Sequence, residues 1–185
     1  REALVIAADV SRAGDVARVV EGALAKFGRV DALVNNAGYA PVRSIEEMTL
    51  EEWRAVLDTN LSAAFYFCKA LWGTFRRQGG GVVVNISSAA ARNPFDGFAG
   101  YGAAKAGLNL FTLAAAREGQ KIGVRVHAIA PAATETAMFR SILSKEQYPE
   151  ANTLSPEDVA RVVGECVGGT MRYTSGEVIY LHKVV

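Results

Sequence analysis

Val82-Val83-Val84-Asn85-Ile86 is an apolar run interrupted only by Asn85, and Ser87-Ser88 follows it directly. Such a run suits a strand buried on both faces of a parallel sheet. On either side of it, short β-rich runs alternate with longer stretches of helical period. Residues 4–8 and 30–34 read as strands before it, and 123–129 and 177–181 as strands after it. Val16, Val19, Val20, Ala23, Leu24 and Phe27 recur at i, i+3, i+4 and predict an amphipathic helix over 15–27. Thr49, followed by Glu51 and Glu52, reads as the N-cap of a short helix. A long helix over 61–77 stops at Gly79-Gly80-Gly81, and another spans 101–117. Ser155 with Pro156 at the first helical position opens a helix to about Cys166. Repeats, linkers and low-complexity tracts are absent from the sequence. The alternation predicts one α/β domain over residues 1–185, a doubly wound parallel sheet in three layers. Ligands of such sheets bind outside the carboxyl ends of the strands, so the segments after Ala8, Val34, Ile86 and Ile129 are where chemistry is expected.

Composition narrows the function. The 185 residues carry 20 Lys+Arg against 19 Asp+Glu, a net charge of +1, with half the chain apolar. That excludes a disordered chain and offers no basic stripe for nucleic acid. An 18-residue apolar run, which a membrane span needs, is lacking. The Arg1-Glu2 opening does not resemble a secretion signal. Cys68 and Cys166 are too few and too far apart for a disulfide framework or a zinc site, so no metal is expected. A soluble protein in a reducing, cytoplasmic setting is the expectation.

At the strand ends, Tyr101 stands 13 residues beyond Ser88, and Lys105 lies four further on. On a helix, i and i+4 share a face, so the phenol and the ammonium can point into one site. A free tyrosine titrates near pH 10, and a neighbouring ammonium favours its phenolate. With a serine hydroxyl to hold a carbonyl oxygen, the set suits proton transfer during carbonyl–alcohol interconversion. Asn35-Asn36-Ala37-Gly38 closes a strand at the site edge, where a glycine lets backbone approach a ligand. Asn60 opens the long helix, as its N-cap, a role compatible with a catalytic one.

Taken together, Asp9-Val10, Asn35-Asn36-Ala37-Gly38, Asn60, Ser88 with Tyr101 and Lys105, and Pro131 through Thr136 resemble the short-chain dehydrogenase/reductase family in its compact form. The resemblance runs over nearly the whole chain and implies a Rossmann-like fold. It implies that Asp9 and Val10 meet the adenine ring, and that Asn36, Ala37 and Gly38 form the turn beside the cofactor ribose. Asn60 would hold a water in a proton relay behind Lys105. Ser88 would orient the substrate carbonyl, and Tyr101 would be the general acid in reduction and the base in oxidation. Lys105 would bind the nicotinamide ribose and depress the Tyr101 pKa; Pro131, Thr134 and Thr136 would contact the nicotinamide end. The implied reaction moves a hydride between NAD(P)(H) and a ketone or secondary alcohol. The cofactor is NADP or NAD, slightly favouring NADP through the likeness to 3-oxoacyl-carrier-protein reductases. A non-catalytic Rossmann-fold binding or regulatory protein is the alternative, and a nucleotide-sugar epimerase or dehydratase relative a further one. The complete Asn60–Ser88–Tyr101–Lys105 set disfavours the first, and the short stretch after Thr136 disfavours the second.

The chain departs from the family in three places. Ala132 stands where a glycine is usual after the proline, so the backbone there must accept a Cβ. His127 stands where the family has asparagine in the preceding strand and reads as structural. The glycine-rich turn that cradles a pyrophosphate at a helix N-terminus is not found. Gly97, Gly100 and Gly102 have the wrong order for it, and Gly79-Gly80-Gly81 is a helix stop. In the strand order 3-2-1-4-5-6, residues 4–8 correspond to strand 3 and 30–34 to strand 4. The two strands between them are missing, which would leave a hole at the sheet centre. The expectation is that the chain lacks an N-terminal βαβ segment of roughly 40–50 residues, since such a unit takes 30 or more.

Phe95, Phe98 and Tyr39 flank the expected site as pocket walls or as ordinary packing, and 137–148 reads as a short lid that excludes water. Cys68 and Cys166 read as inert buried thiols. The helices 61–77 and 101–117 are apolar on more than one face, and by resemblance imply a homodimer or homotetramer.

Overall fold

A computed structural model describes residues 2–183. Four parallel strands lie side by side in the order β1 (Ala32–Asn35), β2 (Gly81–Ile86), β3 (Val124–Pro131) and β4 (Val178–Leu181). In register, Val84 pairs with both Val34 and His127, and Ile129 with Ile179. The α/β, Rossmann-like layering follows from the central strands. Val83 and Val126 project into one core with Cys68, Leu71 and Phe75. Val82, Val84 and Ile129 project oppositely, onto Cys166 and its helix.

The helices are α1 (Ala13–Phe27), α2 (Leu50–Leu57), α3 (Ala63–Gln78), α4 (Ala99–Gly119), a short α5 (Ala137–Arg140) and α6 (Pro156–Gly168). Their ends carry the expected chemistry. Thr49 and Ser155 each form a capping box, with Glu52 and Asp158, and Gly79 closes α3 in the left-handed conformation. Among the described residues no helix is long and apolar enough to cross a membrane.

Two expectations are corrected. Residues 4–8 form no strand. A parallel strand exists only through its ladder, and no described strand lies beside this segment; it is tied instead to α1, with Arg18 and Lys26 donating to the carbonyls of Ala7 and Ala3. The sheet itself is continuous from β1 to β4. Asn60 is not an N-cap either. Residues Asp58–Ser62 form a π-helical turn that joins α2 to α3, and Asn60 sits inside it, buried.

Candidate active site

The carboxyl ends of the strands open onto a cleft of about 800 Å³, lined by Ser88, Tyr101, Lys105, Pro131, Thr134 and Thr136 among others. Beyond Ile86 the chain turns sharply. Ser87 is buried and its hydroxyl donates to the Lys105 carbonyl at 3.3 Å, fastening the strand end to α4. Ser88 caps a single 3₁₀ turn over Ala89–Ala91, its Oγ accepting from the Ala90 N–H at 3.1 Å. A hydroxyl that accepts in this way keeps its own proton to donate. The first turn of α4 packs against that turn because residue 102 is glycine: a Cβ there would stand 3.0 Å from the Ala90 carbonyl oxygen. The glycines around Tyr101 thus serve close packing, which brings the phenol beside Ser88.

Lys105 lies one turn after Tyr101 and is only 3% exposed. Its Nζ donates to the Ile86 carbonyl at 2.7 Å and lies 5.5 Å from the centre of the Tyr101 ring. Burial lowers its pKa to about 8. Burial also pushes the Tyr101 phenol above its ordinary value, while the Ser88 side chain acts in the opposite direction. The depression of Tyr101 expected from Lys105 is not among these influences. Removing water from the phenolate costs more than the Ser88 hydrogen bond returns, and the phenol stays protonated.

Asn60 uses its whole amide on backbone. Its Nδ2 donates to the carbonyls of Tyr39 at 2.7 Å and Val56 at 2.9 Å, and its Oδ1 accepts from the Tyr39 N–H at 3.3 Å. It ties the Asn36–Gly38 turn to the π-helical turn; such turns recur at functional sites. Gly38 lies against this amide, where a Cβ would stand 3.3 Å from Asn60 Oδ1. Asn36 and Lys105 line both the cleft and a smaller adjoining recess, which Val10 and Ala37 also line. Asp9 stands outside the cleft. Its carboxylate accepts from the Ser11 N–H and hydroxyl and pairs with Arg12, which holds it below the usual carboxylate range.

After β3, the Ala132 N–H donates to the Leu181 carbonyl at 2.8 Å. No described non-glycine residue has a positive φ, so the Ala132 Cβ is accepted without backbone strain. Thr134 donates to the Ala132 carbonyl at 3.0 Å, and Thr136 caps α5 by accepting from the Phe139 N–H at 3.1 Å.

Two groups escaped the sequence reading. One is a buried chain: Asn35 Nδ2 donates to Asn85 Oδ1 at 2.8 Å, Asn85 Nδ2 to Thr112 Oγ1 at 2.9 Å, and Thr112 to the Leu108 carbonyl. The lone Asn85 in its apolar run was the signal for it. The other is the Glu135–Arg140 ion pair at the base of the lid, which no local pattern announces.

The chain resembles known proteins in sequence and in fold. A family model described as short chain dehydrogenase matches residues 1–147. A 3-oxoacyl-[acyl-carrier-protein] reductase from Synechocystis is 37% identical over 165 residues, 88% of this chain and 67% of that protein. An acetoacetyl-CoA reductase from Allochromatium vinosum is 34% identical over 93% of this chain and 72% of its own length. The crystal structure of a short chain dehydrogenase from Mycobacterium smegmatis superposes with a TM-score of 0.83 at 29% identity, covering 97% of this chain and 70% of that one. These matches show that the chain belongs to the short chain dehydrogenase family and is an NAD(P)-dependent oxidoreductase of that family.

Proposed function

We propose that the cleft interconverts a ketone and a secondary alcohol, with Tyr101 as the proton-transfer group. The observation that carries this reading is the convergence of Ser88, Tyr101 and a buried Lys105 on one wall of the cleft. In reduction, the Ser88 hydroxyl donates a hydrogen bond to the carbonyl oxygen and fixes its position. The Tyr101 O–H, held protonated by burial, gives its proton to that oxygen as negative charge develops there. The Lys105 ammonium beside the ring stabilises the phenolate that results. Asn60 keeps the Tyr39 backbone and the π-helical turn in place behind Lys105, and a water held there would return a proton to the site. In oxidation the same phenolate takes the alcohol proton.

The residues fit a nicotinamide nucleotide. Gly38 leaves a cradle that a Cβ would fill, and the Lys105 ammonium has donors beyond the one given to Ile86 for ribose hydroxyls. When bound, the nicotinamide supplies or accepts the hydride. Asn36, Ala37 and Gly38 would flank its ribose, Pro131, Thr134 and Thr136 its nicotinamide end, and Asp9 and Val10 the adenine end; NADP is the proposed preference over NAD. The oligomer proposed is a homodimer or homotetramer through α3 and α4, where Phe65 and Leu110 stand exposed. Following nucleotide oxidation with a ketone in the wild-type protein and in Tyr101→Phe tests the reading. Equal rates in the two would sink it.

A further inference from the structure

The cleft has two aromatic walls. On one, Phe95, Phe98 and Tyr101 form a ladder, with ring centres 5.6 Å and 5.3 Å apart, that ends at the proposed acid. On the other, Phe139 and Tyr148 of the 137–148 lid meet edge to face at 5.5 Å. Met138 and Ile142 of the same lid also line the cleft. Among the described residues lining the cleft, Lys105 is the one charged side chain, and its ammonium already donates to the Ile86 carbonyl.

The lid brings no cation of its own to the cavity. Arg140 is bound to the Glu135 carboxylate and donates to the carbonyls of Ser144 at 3.1 Å and Tyr148 at 2.8 Å. Thr153 donates to the same carboxylate. Lys145, the other lid cation, is paired with Glu150. An anionic substituent placed between these walls would lose its water and find no partner, which is costly. An apolar one gains the burial energy and edge-to-face ring contacts.

Resting on the assignment of Tyr101 as the acid, we infer that the substrate is an uncharged ketone, or its alcohol, bearing an aryl or comparably bulky apolar group seated between Phe98 and Phe139. Arg140, bound to Glu135 and to the Tyr148 carbonyl, joins the two ends of the lid wall.

The test uses the full protein with NADPH and NADH and compares methyl 4-acetylbenzoate, 4-acetylbenzoate and acetoacetyl-CoA. The neutral ester is expected to show a kcat/KM at least tenfold above the carboxylate and above the thioester. Calorimetry without nucleotide is expected to show the ester binding at least tenfold more tightly than the acid. Phe139→Ala is expected to lower kcat/KM for the ester by a larger factor than for 2-butanone, with Phe139→Leu restoring part of the loss. Equal or better turnover of the carboxylate or the thioester, with Tyr101→Phe still inactive, overturns this inference and leaves the acid assignment standing. Failure to reduce any of the three, with Tyr101→Phe indistinguishable from wild type, overturns both.

Discussion

The Lys105 ammonium lies 5.5 Å from the centre of the Tyr101 ring, one helical turn away, and is anchored to the carbonyl at the end of β2. A buried ammonium and a partly buried phenol, both deprived of water, are thus set side by side. Burial raises the phenol above its ordinary value and lowers the ammonium to about 8, so the two proton affinities are driven apart: the phenol keeps its proton to donate, and the ammonium titrates nearer neutrality.

Replacing Tyr101 by Phe keeps the ring and its contact with Phe98 but removes the proton. Turnover in ketone reduction should fall by about 10²–10⁴, the range for a general acid. Nucleotide affinity, read by fluorescence titration, should change little. Ser88→Ala should lower turnover with nucleotide affinity likewise near normal.

Lys105 loses its charge as pH rises through about 8. Reduction needs the ammonium to favour release of the phenol proton, so kcat/KM should be level below that pH and decline above it. Lys105→Met should remove this limb, leaving a low rate that is flat across the same range. A full alkaline limb in that variant would assign it to another group.

Asn60→Ala removes three hydrogen bonds to the backbone of Tyr39 and Val56. Leaving those buried groups unpaired should cost about 1–3 kcal/mol of stability in denaturant titration. A role in ordering the site predicts more: turnover falls further than stability explains, and Asn60→Asp recovers less of it than of the fold.

His127 is fully buried in β3 and neither ring nitrogen has a hydrogen-bond partner. Desolvation by burial, helped by Arg125, holds its pKa below 6.5, so the folded protein keeps it neutral while the unfolded chain takes up a proton. Stability is therefore complete above pH 6.5 and declines as pH falls below it. The decline in Tm between pH 7 and 5 should be shallower in His127→Leu.

Leu110 and Phe65 are 68% and 46% exposed on α4 and α3. Leu110→Glu together with Phe65→Glu should convert an oligomer to monomers in light scattering with little change in Tm. An unchanged mass would place the subunit contact elsewhere.

Periodicity and caps carried most of the architecture. Val82–Ile86 announced a central strand because both its faces are apolar, and Thr49 and Ser155 announced helix starts because a cap is a local hydrogen bond. Tyr101 and Lys105 were legible as a pair because helical spacing alone puts them on one face. The π-helical turn at Asn60 was not legible, since its extra residue is held by the Tyr39 backbone, 21 positions away in the chain. Nor was the Glu135–Arg140 pair that stiffens the lid.

The order of residues thus determined, by itself, the alternation of strands and helices and the residue types at each strand end. These follow from local periods and from caps that reach three or four positions. Only the tertiary structure decided that residues 4–8 form no strand, that the Tyr101 phenol is largely withdrawn from water, and that the lid cations are withdrawn from the cleft. Each of these depends on what surrounds a group in space: a ladder partner, the exclusion of water, a carboxylate within reach. No spacing along the chain encodes that.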